Sequence, residues 1–570
     1  MSDTPAGSAP ELLRQGAELR KQAQYNDAAR CLLRALELKH DFAAAHLELG
    51  LDYLDQERIE DAVDYLQLAV HYAPKCAAGW QHLGSALAKL GRNEAALAAC
   101  RQAIAIDPDH CGAWMTMGSL HKAREEWEAA IDCYRTAVAC APTAAEALCL
   151  LGYALHKAGD YAESRAQFDA ALRLSPDMVQ AHHNLGLSFL ETGQPDKALA
   201  CFDRALAMNA GIIETRASLA HALRDLGRLD EAISHYDEVL STQPDFSDAV
   251  LNRSYALLMK GDYAAGWTAY EQRLVSGGEV GRDFNLPRWR GESLASKRVL
   301  IYAEQGLGDE IMFASCLPDI LSLAAQCTIE CNTRLASLFR RSFPNAHVHG
   351  GDKTDDARWL ARLPPTHYQV AIGSLQNYFR RSPTAFPARR GYLAADAARV
   401  EYWRSQLEST ASLRVGIAWR GGTLRSRQFA RSIPLPLWAP LLRTDPVAFY
   451  ALQYGDISPE LEALRLQSGV AVAYPGSAIH DLDELAALIS ALDLVISIDS
   501  TTSHLAGALG KPVWTLLPCS PEWRYPRSGE SMLWYPSMRL FHRTLGEGWE
   551  PILGRVAVEL SNSVRSNSRR

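Results

Sequence analysis

One feature limits what this chain can fold into more than any other: a repeat of 34 residues. Glycines stand at Gly16, Gly50, Gly84, Gly118, Gly152 and Gly186, each 34 residues after the one before. Twelve residues beyond each lies a small residue (Ala28, Ala62, Ala96, Ala130, Ser164, Ala198), and four further on a larger one (Leu32, Leu66, Cys100, Tyr134, Phe168, Phe202). Pro74, Pro108, Pro142 and Pro176 close four of the units, and Pro244 closes a later one. The spacing predicts paired helices. The glycine lets the first helix approach the second, the small residue answers it, and the proline ends the second helix because it has no N–H to continue the ladder. A unit of this size cannot bury its apolar face alone, so the units must stack.

The run WQHLGSALAKLGRNEAALAACRQAIAIDP (80–108) resembles the tetratricopeptide (TPR) repeat at nearly every marked position of that family. Two degenerate units follow at about 213–246 and 247–276. They keep Ala232 with Tyr236 and Gly266 with Tyr270, but carry Ala220 and Ser254 in place of the glycine. The expectation is eight units over 9–276, the last acting as a junction. The resemblance implies an α-solenoid whose groove takes a peptide or protein partner; the alternative is a scaffold or dimerisation arm. Asn184 and Asn252 lie on first helices and are candidates to clamp a ligand backbone, or else amides satisfied by solvent or core.

Of the 570 residues 48% are hydrophobic, too many for a single core. A net charge of -8 argues against a nucleic-acid partner bound through a basic surface. No uninterrupted apolar run reaches 18 residues, so no membrane-spanning helix is expected. The N-terminal stretch lacks an apolar signal core, and the twelve cysteines are scattered without a CxxC pair. Both fit a cytoplasmic protein with buried free thiols and no zinc or disulfides. The oligomeric state is left open.

The period changes after SGGEVGRDFNLPRWRGESLASK (276–297), whose glycine-rich polar character reads as a linker, taken as 277–296. Short apolar runs then alternate with helical segments: RVLIYA, CTIEC, HVHG and YQVAIGSL in a first set, then LRVGIAW, FYALQYG, VAVAYPG, DLVISID and PVWTLLP in a second. Strands alternating with helices imply parallel sheets covered on both faces. Two Rossmann-like domains follow, at 297–395 and 412–560, joined by 396–411 and facing a cleft. Ligands of such folds sit at the carboxyl ends of the strands.

Three constellations fall at those ends. Gly306 and Gly308 permit a tight turn that delivers Asp309 to a helix start, where it either faces the cleft or merely caps the helix. Trp419-Arg420-Gly421-Gly422-Thr423 is followed by Arg425, Arg427 and Arg431. These guanidiniums suit a diphosphate, or form a solvated basic loop. Asp499-Ser500-Thr501-Thr502-Ser503-His504 leads a strand into a helix whose N-terminus is an anion site. His504 there is a phosphate or ribose contact, or a structural histidine. Asp481-Leu482-Asp483 has the form of a metal-binding DxD but reads as helix-start acids, so no metal site is assigned. Trp523 and Tyr525 could stack on a nucleobase or pack against the sheet.

Residues 297–560 resemble glycosyltransferase family 9, the heptosyltransferase-like enzymes of the two-domain GT-B fold. The most specific match is IDSTTSHLAGALGKPVWTLLP (498–518). The resemblance implies a metal-independent enzyme without a cofactor, whose donor substrate is a nucleotide-diphosphate sugar. Asp309 would be the general base, Arg431 would neutralise the leaving diphosphate, and Ser500, Thr501, Thr502 and His504 would hold it. Gly306, Gly308, Trp419, Arg420, Gly421 and Asp499 complete the expected donor site, with Glu304 and Glu310 as fallback bases. Thr501 stands where the family has glycine, and Glu310 where it has an apolar residue. With the repeat array, these differences point away from a lipopolysaccharide heptose and toward a protein or surface glycan as acceptor. TPR arrays fused to a GT-B enzyme are similar in architecture to the O-linked N-acetylglucosamine transferases. The competing expectation is a scaffold whose transferase-like half has lost activity.

Overall fold

The computed structural model describes residues 7–276, 284–352, 357–407, 411–422 and 430–567. These fall into two compact units, up to Ser188 and from Phe189, which divide inside the helix Val179–Glu191.

The first unit contains five helical hairpins, from Ala9–Lys21 with Tyr25–Leu38 to Ala145–Ala158 with Tyr161–Leu174. The 34-residue pattern is their packing code. A Cβ on Gly118 would lie 2.6 Å from the ring of Tyr134, and one on Gly152 2.8 Å from the ring of Phe168, with both rings fully buried. Ser164 replaces alanine in the fifth hairpin without loss, because its hydroxyl donates to the carbonyl of Gly152 at 2.8 Å. The second helices end at Tyr72, Ile106, Cys140 and Leu174, each two residues before its proline. Asn184 is buried and accepts from Gln180 at 3.2 Å, which favours the core-amide reading.

The second unit continues with the helix Pro195–Met208 and the hairpins Ile213–Leu226/Leu229–Thr242 and Ser247–Lys260/Tyr263–Tyr270. These degenerate repeats pack on the α/β region. Trp267 is fully buried and its indole donates to the carbonyl of Arg380 at 2.9 Å. Tyr255 stacks on Trp523 at 5.4 Å with the rings 2° from parallel. Arg273, buried, grips both carboxylate oxygens of Glu304. Asn252 donates to the carbonyl of Asp248 and accepts from Arg224, so it too is satisfied within the chain.

Two parallel sheets follow. The first comprises β1 (Arg298–Tyr302), β2 (Gln326–Asn332), β3 (His347–Gly351) and β4 (Tyr368–Ala371), in the order β3-β2-β1-β4. The second comprises β5 (Leu413–Ala418), β6 (Val447–Ala451), β7 (Leu494–Ile498), β8 (Val513–Leu517) and β9 (Met538–His542), in the order β6-β5-β7-β8-β9. In the first, Leu300 lies between Thr328 and Gln369; in the second, Ile417 lies between Ala451 and Ile496. The direction of strand addition therefore reverses between β1 and β4 and again between β5 and β7. Such switch points open a crevice at the carboxyl ends of the strands.

Several expectations are corrected. Residues 284–296 are no plain linker: Phe284 and Trp289 are buried, and the N–H of Trp289 donates to the carbonyl of Gln369 in β4. The expected strand over 368–375 ends at Ala371, after which Ile372–Leu375 coils into a short 3-10 helix. VAVAYPG forms only an isolated bridge between Ala473 and Tyr450, and β9 is an additional strand. The joining segment 396–411 contains a helix, Ala397–Gln406, clamped to the helix Leu482–Ala491 by the Arg399–Glu484 ion pair at 2.6 Å. The last helix, Glu550–Asn567, runs beyond the expected end at 560.

Candidate functional site

Three carboxyl-terminal loops converge on one cavity of about 380 Å³ between the sheets. The loop after β1 enters the helix Leu307–Phe313 with Gly306 in the cap position. Asp309 lies in the first turn and makes no capping bond, so the cap alternative fails. Its Oδ1 instead accepts from Arg524 Nη2 at 2.7 Å. Gly308 brings this helix against the helix Thr501–Ala508 of the other sheet: a Cβ there would lie 3.4 Å from His504 Cδ2.

The loop after β5 carries Gly421, where a Cβ would fall 2.5 Å from the carbonyl oxygen of Asp499 and 2.3 Å from Ile498. Only glycine lets these two strand ends touch. Gly422 follows with φ +75°, a left-handed backbone that glycine adopts without strain. Trp419 and Arg420 face elsewhere. The Trp419 ring is fully buried in the core of the second sheet and its indole donates to Glu460 at 2.9 Å. Arg420 pairs with the same carboxylate at 2.9 Å. Neither side chain lines the cavity, which corrects both assignments: the position after β5 points into the sheet's cover, not into the crevice. Thr423, Arg425 and Arg427 lie outside the described residues.

The loop after β7 places Asp499 at the strand end. Ser500 caps the helix Thr501–Ala508 in a reciprocal bond with Ser503. Ser500 and Thr501 line the cavity; Thr502 is buried and does not, a second correction. His504 borders the cavity, but its ring nitrogens face Tyr535 Oη at 3.1 Å and Asp499 Oδ1 at 3.6 Å. Its Nδ1 is thus taken by Tyr535, while Nε2 stands near Asp499 without a hydrogen bond to it. Burial holds His504 below the usual histidine range, against the pull of Asp499, so the ring is neutral near pH 7.

Asp499 is the electrostatic centre, 2% exposed. It meets Arg431 Nη2 at 2.9 Å and Arg524 Nη1 at 3.9 Å, and accepts from Tyr525 Oη at 2.9 Å. Burial pushes its carboxyl up, but Arg431, His504 and Arg524 together outweigh it and hold the group well below the usual carboxylate range. Arg431 also reaches Glu522 at 3.3 Å. Trp523 and Tyr525 are buried and serve packing and hydrogen bonding, the second of the two expected readings.

Of the expected site residues, the cavity thus unites Gly306, Gly308, Asp309, Gly421, Arg431, Asp499, Ser500, Thr501 and His504. It adds Arg524, Glu522 and Tyr454, which no motif marked. The available signal for Arg524 was its place in the loop after β8, a further carboxyl-terminal loop of the same sheet. The fallback bases are committed elsewhere. Glu304 pairs with Arg273 and accepts from the N–H of Gly373 at 2.9 Å; Glu310 is buried and accepts from the N–H of Asn332 at 2.9 Å. Asp481 caps the helix Leu482–Ala491, and Asp483 pairs with Arg341, as helix-start acids should.

Helical-hairpin repeats leading into two parallel α/β sheets with a charged cavity between them define a class: a TPR solenoid joined to a GT-B-type domain pair. Comparison with known proteins agrees. Tetratricopeptide-repeat models match residues 13–70, 47–110, 118–159, 143–211 and 218–279, and the glycosyltransferase family 9 (heptosyltransferase) model matches residues 478–532. The chain carries TPR repeats and a glycosyltransferase family 9 domain; the matched segment of the latter includes Asp499, His504 and Arg524. A similar curated protein is Protein FlbA of Caulobacter vibrioides, 37% identical over 330 residues, which cover 55% of each chain. The chain thus spans about half the length of that relative. Among solved structures, the APC/C hetero-tetramer Cut9-Hcn1 is 18% identical over 43% of this chain and 48% of its own, with a TM-score of 0.39. Pseudomonas aeruginosa pilF is 17% identical over 36% and 94%, with a TM-score of 0.34.

Proposed function

We propose that this protein transfers a sugar from a nucleotide-diphosphate donor to a hydroxyl of a protein or surface glycan that the repeat array recruits. The observation that carries this reading is the meeting of Asp309, from the first sheet, with Arg431 and Arg524, from the second, in one cavity. Asp309 takes the proton of the acceptor hydroxyl. The oxygen attacks the anomeric carbon, and the bond from that carbon to the diphosphate oxygen breaks with its electron pair. Arg431 and Arg524 receive the charge that develops on the departing diphosphate, with Ser500 and Thr501 at the helix start beside them. A single displacement of this kind inverts the anomeric centre. Recruitment is supported by a second cavity of about 580 Å³ in the first unit, along the first helices of the third to fifth hairpins. Gln81, Lys89, Thr116, Ser119 and Glu146 give it the hydrogen-bonding groups an extended polypeptide needs.

A thermal-shift screen of nucleoside diphosphates and their sugars tests the donor site; a specific ligand at a hundred times its Kd stabilises by about 2.7 kcal/mol. With the donor found, Asp309→Asn is expected to keep the fold and lose transfer by about a hundredfold or more. Because Asp309 makes no capping bond, a stable variant with parental transfer sinks its role as base. A screen that returns no ligand favours the scaffold alternative.

A further inference from the structure

The two guanidiniums of the cavity do not await the donor unpaired. Arg431 lies between Asp499 and Glu522, and Arg524 between Asp309 and Asp499. A diphosphate entering this cavity must share or displace a carboxylate, and the four carboxylate contacts are not equally displaceable. Asp499 is buried, and Tyr525 and Arg431 hold it in place. It also sits 3.9 Å from Arg524, beyond hydrogen-bond reach. Asp309 lies on the cavity wall, belongs to the other sheet, and is held by a 2.7 Å bond to Arg524. Arg524 itself is 12% exposed, and its Nε is buried without a partner among the described residues. One guanidinium thus touches the carboxylate read as the base and stands where the leaving group must be neutralised.

Building on the reading of this cavity as a diphosphate site, we infer that Arg524 exchanges partners. It holds Asp309 in the empty site and turns to the diphosphate when the donor binds. While Arg524 holds it, Asp309 Oδ1 is turned to the guanidinium and taken; released, that oxygen can face the acceptor hydroxyl and take its proton. The base therefore becomes available only in a donor-loaded site. Arg524 is then a donor-binding residue whose second partner couples the freeing of the base to donor binding.

Binding alone tests this. Inorganic pyrophosphate is titrated calorimetrically into the full-length parent, Asp309→Asn, Arg524→Ala and the double variant. If binding must break the Asp309–Arg524 pair, Asp309→Asn tightens pyrophosphate by about tenfold, and Arg524→Ala weakens it by about tenfold or more. In the Arg524→Ala background Asp309→Asn then changes affinity less than about twofold. Simple repulsion between Asp309 and the anion gives a different result, since the gain from Asp309→Asn persists without Arg524; that outcome overturns the exchange. So does an Asp309→Asn protein that binds no more tightly than the parent, because an ion pair serving only the fold does not oppose binding. Should Arg524→Ala fail to fold, Arg524→Gln takes its place in the cycle. Its uncharged amide cannot form the ion pair, so the gain from Asp309→Asn must shrink, and an undiminished gain overturns the exchange. A parent that binds neither pyrophosphate nor any nucleoside diphosphate removes the underlying donor site and the exchange with it. A parent that binds while the cycle stays flat removes the exchange alone.

Discussion

Two fully buried aspartates, one in each half of the molecule, behave in opposite ways. Asp52 sits in the second hairpin, 0% exposed; Gln56 donates to one of its oxygens at 2.6 Å, and the other has no hydrogen-bond partner among the described residues. Burial pushes its carboxyl up to about 6, and Gln56 and the more distant Arg20 pull it down only in part. Asp499, at a strand end of the second sheet, is equally buried, yet guanidiniums hold it well below the usual range. The repeat half is assembled by size. Glycine meets aromatic ring and alanine meets backbone, and the Asp52 carboxylate is caught inside with one oxygen unpaired among the described residues. The α/β half assembles its crevice by charge, so that burial strengthens each pair. Stability in the first is a matter of volumes; in the second it is bound up with the chemistry of the site.

The sharpest way to break this contrast is at Asp499. Asp499→Asn leaves two buried guanidiniums short of a counter-charge, and removing one partner of a buried pair costs about 3–5 kcal/mol. The expected result is a large fall in the melting temperature of the second unit, together with loss of diphosphate binding. The pH dependence has a definite sign. A carboxyl whose folded value lies below its ordinary 3.8 contributes stability above that value and loses it as the pH falls. The parent should therefore lose stability steeply below about pH 4, and Asp499→Asn should not. Equal acid sensitivity in both, followed by circular dichroism, would falsify the charge account of the crevice.

A smaller effect separates the two halves at their glycines. Gly152→Ala presses a methyl 2.8 Å from the Phe168 ring, which a side chain can yield to by turning. The overpacking costs about 1–3 kcal/mol, offset by the roughly 1 kcal/mol that alanine gains over glycine inside a helix. Gly421→Ala presses its methyl 2.5 Å from a backbone oxygen, that of Asp499, which cannot rotate away. There the expected cost is the full overpacking of about 1–3 kcal/mol, and diphosphate affinity falls with it because Asp499 moves. Parallel melting curves and titrations decide this. If Gly421→Ala binds diphosphate as the parent does, the close approach of the two strand ends is not what shapes the cavity.

The same difference governs how much could be read before folding. A repeat writes its packing locally: Gly118, Ala130 and Tyr134 lie within 17 consecutive residues, so the helical hairpins were legible, with the proline stops of the second to fifth. The strands were legible as apolar runs, and Asp499 to His504 as a strand running into a helix start. The crevice is not local. Asp309 and Arg524 are 215 residues apart in the chain, and only the fold shows that they touch. Trp419 was misjudged because a strand covered on both faces has no polar alternation to say which way its last residue points. Trp289 was read as linker because glycine and charge surround it, although its ring is buried and its backbone N–H bonds the segment to β4. β9 was missed because Arg539 interrupts a short apolar run; its guanidinium escapes along the surface to Glu530 and Glu559.

The smallest expected effect sharpens the comparison from the repeat side. Asp52 is a carboxyl whose folded value, about 6, lies above its ordinary 3.8, the reverse of Asp499. The folded hairpin therefore binds a proton that the unfolded chain releases between those values. Stability from this group is full below pH 3.8 and is lost as the pH rises through about 6. Above that the ionised carboxylate is a standing burden on the hairpin. Asp52→Asn removes the charge while keeping an oxygen to accept from Gln56. The variant should match the parent near pH 4 and exceed it at pH 7.5 by about 2–4 °C, the scale of a ~1 kcal/mol change in a unit of this size. Hydrogen exchange in the full-length protein gives the finer readout, because repeats open locally. Protection of the helix Ala43–Asp55, corrected for intrinsic exchange, should fall between pH 4 and 6.5 in the parent and stay level in Asp52→Asn. If the two proteins lose protection alike, Asp52 is ionised at little cost, and some cation of the repeat half answers it after all. Arg20 is the first to test, since its guanidinium already reaches Asp55, one helical turn along, at 2.8 Å.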